Sequence, residues 1–321
     1  MITYIIRRIL YSIPVLIAAS FLIFSMISLA SDPLAPLRAN PKFSPVSLAH
    51  LRIHYHLNKP IPVRYVYWLK DFVLHKGGNS LLTNQPIWPD IQRVLGHTAQ
   101  LVLFSEALAI LLGVAIGIYS AVRQYSIFDY TFTTVSFLGF ATPVFLVALL
   151  LQIAFTDIYL HWNVRVFYTS GLNNPGQGTW SLDRLQHLAL PITTLCIISF
   201  ALYSRFMRAS MLDVINSDYA RTARAKGVAE WRVITRHVMR NALIPLVTVI
   251  ALNIGAVLGG AIVTETVFSL DGMGFYFIDR LQHTDLYAVM AWLMLSAIFV
   301  IVFNLIADVL YGFLDPRIRF A

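Results

Sequence analysis

Charge is the first thing this chain lacks. Only 12% of its residues are Asp, Glu, Lys or Arg, where a soluble globular chain carries about 25%. Instead, 58% of the residues are hydrophobic and the mean hydropathy is +0.69. A soluble protein of 321 residues does not need so much apolar surface. Several apolar runs of about 20 residues, each long enough to cross a bilayer core, account for the excess. The composition points to an all-α polytopic membrane protein. Cysteine is nearly absent too. Cys196 stands alone within an apolar run, which excludes an internal disulfide and leaves a small packing residue.

Catalytic signatures are also missing. There is no G-x-x-x-x-G-K-[ST], so the chain does not hold ATP itself. There is no H-E-x-x-H, no G-x-S-x-G and no Cys/His cluster, which leaves a membrane-bound hydrolase without support. His50, His54 and His56 invite a metal reading, because positions i and i+4 share a helix face. No carboxylate or cysteine lies near enough to complete a ligand set, so they read as surface histidines.

Six apolar runs organise the rest. The first, residues 9–30, follows Arg7 and Arg8. It is longer than the roughly 7–15-residue apolar core of a signal peptide, so an uncleaved span is expected, with a cytoplasmic N-terminus. Residues 31–97 are polar and contain eight prolines. They read as a small extracytoplasmic lobe with short amphipathic helices near 48–57 and 63–74. Runs at 99–122 and 131–155 flank a short turn at 123–129. Gly113 and Gly117 form a G-x-x-x-G, a weak sign of close helix contact. Pro143 interrupts the third run and kinks it. A polar stretch, 157–186, carries the turn cluster N-N-P-G-Q-G. The fourth run is 187–206 and the fifth 246–268, with Gly255, Gly259 and Gly260 permitting close packing. The loop S-L-D-G-M-G at 269–274 leads to the sixth run, 288–313, and a short tail, 314–321, that includes D-P-R-I-R. The division is thus a first span (1–30), a lobe (31–97), a core (98–313) containing a cytoplasmic loop (209–245), and a cytoplasmic tail.

The 24 basic residues test this topology. Thirteen fall in the proposed cytoplasmic segments and three in the two short external loops, while the long first loop holds eight. Long loops say little about orientation, so the short-loop bias decides it. It also accounts for the net charge of +8 without nucleic acid as a partner.

Glu106, Glu265 and Asp308 lie within or at the ends of apolar runs. An ionisable group in lipid is a functional candidate by default. Glu106 alone reads as deep, which makes it the candidate for a translocation path, with a structural role as the competing reading. A stand-alone ion-coupled secondary transporter would use several such groups near the midplane.

The remaining signal is the polar block at 218–245, D-Y-A-R-T-A-R-A-K-G-V-A-E-W-R-V-I-T-R-H-V-M-R-N-A-L-I-P. Helix formers at 219–226 end at Gly227, a helix stop or sharp turn. A helical pattern resumes over 229–243, and Pro245 opens the next span. Helix, glycine turn, helix makes a compact knob against the membrane. The bland reading is an amphipathic surface helix with its arginines at lipid headgroups. Topology alone explains the arginines, but not the small residues Thr222, Ala223, Ala225 and Gly227, which suggest insertion into a protein groove.

R-T-A-R-A-K-G, Arg221 to Gly227, resembles the cytoplasmic EAA loop of ABC importer permeases, in the form of the dipeptide/oligopeptide group. Arg221, Thr222 and Ala223 occupy the triplet, and Gly227 keeps the spacing. R-R-I-L-Y-S-I-P at 7–14, L-N-K-P-I-P-V-R-Y at 57–65, R-N-A-L-I-P at 240–245, E-T-V-F-S-L-D-G-M-G at 265–274 and N-L-I-A-D-V-L-Y-G-F-L-D-P-R-I-R at 304–319 are similar to the B-type permease subunit, in the same order. Arg240 stands where many relatives have proline, and the residues around Asp271 and H-T-D-L-Y at 283–287 also depart from the pattern. The resemblance implies a type I importer permease with six transmembrane helices in a bacterial or archaeal cytoplasmic membrane. It implies a non-catalytic pore subunit that holds no cofactor, paired with a homologous second permease subunit. ATP and Mg would reside in one or two ABC ATPase subunits or a fused ATPase, and an extracytoplasmic solute-binding protein would deliver a peptide cargo. The residues placed at the ATPase contact are Tyr219, Arg221, Thr222, Ala223, Ala225, Lys226 and Gly227.

Overall fold

The computed structural model describes the whole chain except Met1, Ser31, Ala39, Asn40, Lys42, His75, Lys76, Thr179, Gly260 and residues 315–321. The D-P-R-I-R tail and Gly260 therefore lie outside the described residues. The described residues are almost entirely helical, and six helical stretches are long and apolar enough to cross a membrane.

The first of these is α1 (Ile2–Ala30). Three short helices follow: α2 (Ala35–Arg38), α3 (Pro45–His54) and α4 (Ile61–Leu74). Helix α3 starts three residues before the expected position 48, with Ser44 Oγ accepting the Ser47 N–H and Pro45 at the first helical position. Helix α4 lays Tyr65 and Trp68 against Phe24 of α1. That aromatic cluster extends to Ile91, Tyr287 and Met290 and forms one of three cores.

Helix α5 (Ile87–Val122) has 36 residues and begins about three turns before the second apolar run. Those extra turns carry Asp90, Gln92, Arg93 and His97 on one side, which masks them from a hydropathy reading. Their opposite face, Ile87, Ile91, Val94 and Thr98, is buried at helical spacing. The third run is not one kinked helix but two. Helix α6 (Ile127–Ala141) closes where Thr142 Oγ1 donates to Leu138 O at 2.6 Å, and Pro143 caps α7 (Val144–Trp162). Proline has no N–H for the ladder and pushes the preceding residue out of the helical region, so the chain breaks there.

Helix α8 (Leu182–Ile215) is 34 residues long and packs along α5. The contact needs glycine. A Cβ on Gly113 would lie 2.8 Å from Tyr203 Cβ, and one on Gly117 would lie 2.7 Å from Met207 Cβ and 2.8 Å from Ser204 O. The second core, around Tyr203, Met207, Met211, Val233 and Leu246, surrounds this crossing. Gly117→Leu is expected to cost about 3 kcal/mol or more, because backbone cannot move aside as a flexible side chain can. Loss of the folded peak in detergent size-exclusion chromatography would report it; an unchanged unfolding temperature would refute the crossing.

After α8 come α9 (Asp218–Ala225), α10 (Glu230–Arg232), a π-helical turn (Val233–Val238) and α11 (Met239–Leu258). Glu230–Leu258 is one continuous stretch, so the fifth span begins inside the polar block and not at Pro245. Pro245 sits within α11; membrane helices accept internal proline because neighbouring groups take up the freed carbonyl. The stretch ends at Leu258, ten positions before the expected end at 268, and Glu265 falls instead in the short α12 (Ile262–Val267). Helix α13 (Met273–Gln282) and α14 (Leu286–Leu314) complete the chain. Gly255 lets α11 approach α14, where an added Cβ would lie 2.6 Å from Phe303 Cβ.

Candidate functional site

Three buried polar centres and one exposed knob stand out. Glu106 of α5 is 3% exposed. Ser199 Oγ donates to its Oε1 at 2.7 Å and Asn253 Nδ2 at 3.1 Å, while Tyr203 OH donates to Oε2. Asn253 Nδ2 also reaches Tyr203 OH at 2.9 Å. One carboxyl group therefore ties α5, α8 and α11 together at the middle of the bundle. Three side-chain donors enclose it.

Glu265 makes a second centre. Thr98 Oγ1 donates to Oε1 at 2.7 Å, and the Gly274 and Phe275 N–H groups donate to Oε2 at 2.6 and 3.1 Å. The S-L-D-G-M-G loop wraps this carboxyl so closely that a Cβ on Gly272 would sit 2.4 Å from Glu265 Cδ. Burial pushes the Glu265 carboxyl up from its ordinary value, against the pull of those donors. Nearby, Asp285 accepts from Ser80 Oγ at 2.6 Å and the Leu81 N–H at 3.2 Å, fastening the segment before α5 to the start of α14.

The third centre is Asp129 of α6, which accepts from Arg208 Nε at 2.6 Å and Nη2 at 2.8 Å. This fork holds the turn at 123–129 against α8. The residue types at 129 and 208 carried no sequence pattern that would pair them. Asp308 lies on another face, paired with Arg8 at 2.7 Å.

The described histidines of the 31–97 segment do not converge. His54 packs edge-on against Tyr55 and His56 stacks on Tyr67. Among the described residues no three His, Cys, Asp or Glu side chains gather as a metal site would need.

The knob is built by helix-ending chemistry. Gly227 has φ +75°. Its N–H donates to Arg224 O at 2.9 Å, and the Val228 N–H donates to Ala223 O at 3.2 Å. This bond pair, with glycine in the left-handed region, closes α9 as a Schellman motif. Arg224 then fixes the turn, donating to Ile215 O at 2.9 Å and to Glu230 Oε1 at 2.8 Å. Ala220 and Ala223 face inward, packed in the core that also holds Met207, Met211, Val233 and Val238. Tyr219, Arg221, Thr222, Ala225, Lys226 and Gly227 are exposed, as is Trp231. Ala223, 7% exposed, packs its small side chain against this chain's own core. A Cβ on Gly227, by contrast, would meet nothing within 4 Å. The knob joins the end of α8 to the start of the Glu230–Leu258 stretch.

Comparison with known proteins places this arrangement. Residues 113–320 match the family described as "Binding-protein-dependent transport system inner membrane component". Residues 1–102 match its N-terminal companion, "Binding-prot-dependent transport system membrane comp, N-term". The chain belongs to this family. Relatives match along their whole length. The chain is 39% identical to the oligopeptide transport system permease protein AppB of Bacillus subtilis (strain 168), with all of both chains covered. It is 37% identical to the dipeptide transport system permease protein DppB of Alkalihalophilus pseudofirmus, again over all of both. To the oligopeptide transport system permease protein OppB of Mycobacterium bovis it is 35% identical, over 98% of each. In a transport-system membrane component, the six long apolar helices form the membrane body.

Proposed function

We propose that the chain is the pore-forming permease subunit of an ATP-driven importer for dipeptides or oligopeptides. It would form half of the pore with a homologous second subunit and perform no catalysis. ATP and Mg belong to one or two ATPase subunits, or a fused one, that grip the knob through Tyr219, Arg221, Thr222, Ala225, Lys226 and Gly227. A solute-binding protein meets the opposite face, where residues 31–97 lie, and both termini are cytoplasmic. The single observation that carries the coupling role is the knob itself. It is closed by a Schellman glycine and pinned by Arg224 to the carbonyl of Ile215, so it is stiff enough to transmit a push. Switching between inward and outward access then requires only rigid-body shifts of packed helices. The three donors that enclose Glu106 disfavour an ion-coupled carrier, whose carboxylate must exchange with water.

Reconstitution tests this. Peptide uptake into proteoliposomes is expected only when the second permease, ATPases, binding protein and ATP are all present. Uptake by this chain alone, without an ATPase, would overturn the reading. Orientation is checked by Lys226→Cys, which should react with a membrane-impermeant maleimide from the cytoplasmic side only.

A further inference from the structure

Arg184 stands in the first turn of α8 and is 3% exposed, yet no carboxylate of the described residues meets it. No ion pair among the described residues includes it, and its partners are neutral. Its Nε and Nη2 donate to Gln100 Oε1 at 3.2 and 2.9 Å, and its Nη1 donates to Asn173 Oδ1 at 3.3 Å. A guanidinium has five N–H donors, so two are left without a protein acceptor. The adjacent carboxylate, Asp183, is committed elsewhere. It accepts from the Asn174 N–H at 2.8 Å and from Asn174 Nδ2 at 2.6 Å, with His187 Nδ1 3.6 Å away. Arg93, two turns before Gln100 on α5, has taken Asp271 and Asp90. The neighbourhood thus leaves one buried cation without a counter-ion, which is costly unless an anion arrives.

That cation borders a cavity of about 360 Å³. The other walls are Gln100, Phe104, Trp180, Leu185 and Leu188. Trp180 is 79% exposed and Phe104 40% exposed, so the aromatic walls have room for a guest. One unpaired guanidinium beside an aromatic and aliphatic wall suits a carboxylate attached to an apolar side chain. The site lies at the start of α8, on the face opposite the knob.

We propose that this cavity is a cargo subsite, in which Arg184 receives the C-terminal carboxylate of a peptide. Phe104, Trp180 and Leu185 then take the apolar side chain of its last residue. The assignment rests on the peptide reading above. A lipid phosphate shares the same anion chemistry and is separated from cargo by the test.

The complete importer, with its binding protein, is reconstituted and given a leucine-terminated tripeptide as the free acid or as the C-terminal amide. The acid-to-amide uptake ratio is compared among wild type, Arg184→Gln and Gln100→Glu. The binding protein's own preference is common to all three and cancels. Gln100→Glu keeps the arginine and neutralises it in place, so it decides the matter if Arg184→Gln fails to assemble. The ratio is expected to fall about tenfold in both variants, the worth of a charge-assisted bond. An unmoved ratio, or a proportional fall of both peptides, overturns the subsite while leaving the peptide reading intact. So does a defect equal for acid and amide that follows the phosphatidylglycerol content of the liposomes, which assigns the cavity to lipid. Uptake of neither peptide by wild type overturns the peptide reading and this subsite together.

Discussion

Glu106→Ala is expected to lower the stability of the detergent-solubilised protein by at least about 2 kcal/mol, since three donors lose their acceptor and a void opens. Ser199, Tyr203 and Asn253 all aim at this carboxyl, from helices α8 and α11. Hydrogen bonds between membrane helices are individually modest, about 0.6 kcal/mol on average, because the separated helices find other partners. Here three converge on one side chain that is 3% exposed, so the losses accumulate. Glu106→Gln keeps the volume and one acceptor oxygen, and its loss should be smaller. Unfolding in detergent followed by intrinsic fluorescence reads the stability, and peptide uptake reads function. Both should fall together in the alanine variant, and both should largely persist in the glutamine variant. If Glu106→Gln abolished uptake at unchanged stability, the carboxyl would belong to the translocation path after all.

Gly227→Asp is expected to abolish transport while the protein still inserts and folds. Within the chain the new side chain meets nothing, so the folding cost is only the left-handed backbone, about 1–2 kcal/mol for a non-glycine residue. At a closed ATPase interface the same carboxylate would be desolvated without a partner, at about 2–5 kcal/mol of association. Gly227→Asn tolerates the left-handed turn and adds no charge, so it should couple far better. Ala223→Asp gives the contrast: it places the charge in the protein's own core and should fail at folding, before any ATPase is present. Co-purification of the ATPases with each variant separates these outcomes. Retention of the ATPases by Gly227→Asp, with normal uptake, would remove the docking assignment.

Particular residues show where sequence reading succeeded and stopped. The polar block announced a helix, a glycine stop and a second helix, and the Schellman closure at Gly227 is the form that reading takes in three dimensions. Gly113 and Gly117 were legible as a weak contact signal, and their closeness to Tyr203 and Met207 gives it content. Ala223 and Ala225 look alike in sequence, yet one is buried and the other exposed. Their difference depends on which face of α9 meets the π-helical turn at Val233–Val238. Pro245 has the chemistry of a helix opener, and only the surrounding membrane helices permit it inside one.

The sequence by itself determined the class, the count of spanning helices, the family pattern and the place of the knob. Each rests on local quantities: the length of an apolar run, the sign of flanking charge, the spacing around a glycine. Tertiary structure alone decided that Glu106 is held by three donors, that Glu265 belongs to a wrapped loop, and that Arg184 has no counter-ion among the described residues. Those facts depend on which side chains meet across helices separated by 84 to 167 positions in the chain. Hydrogen-bond satisfaction is a property of such meetings, and no local pattern encodes it.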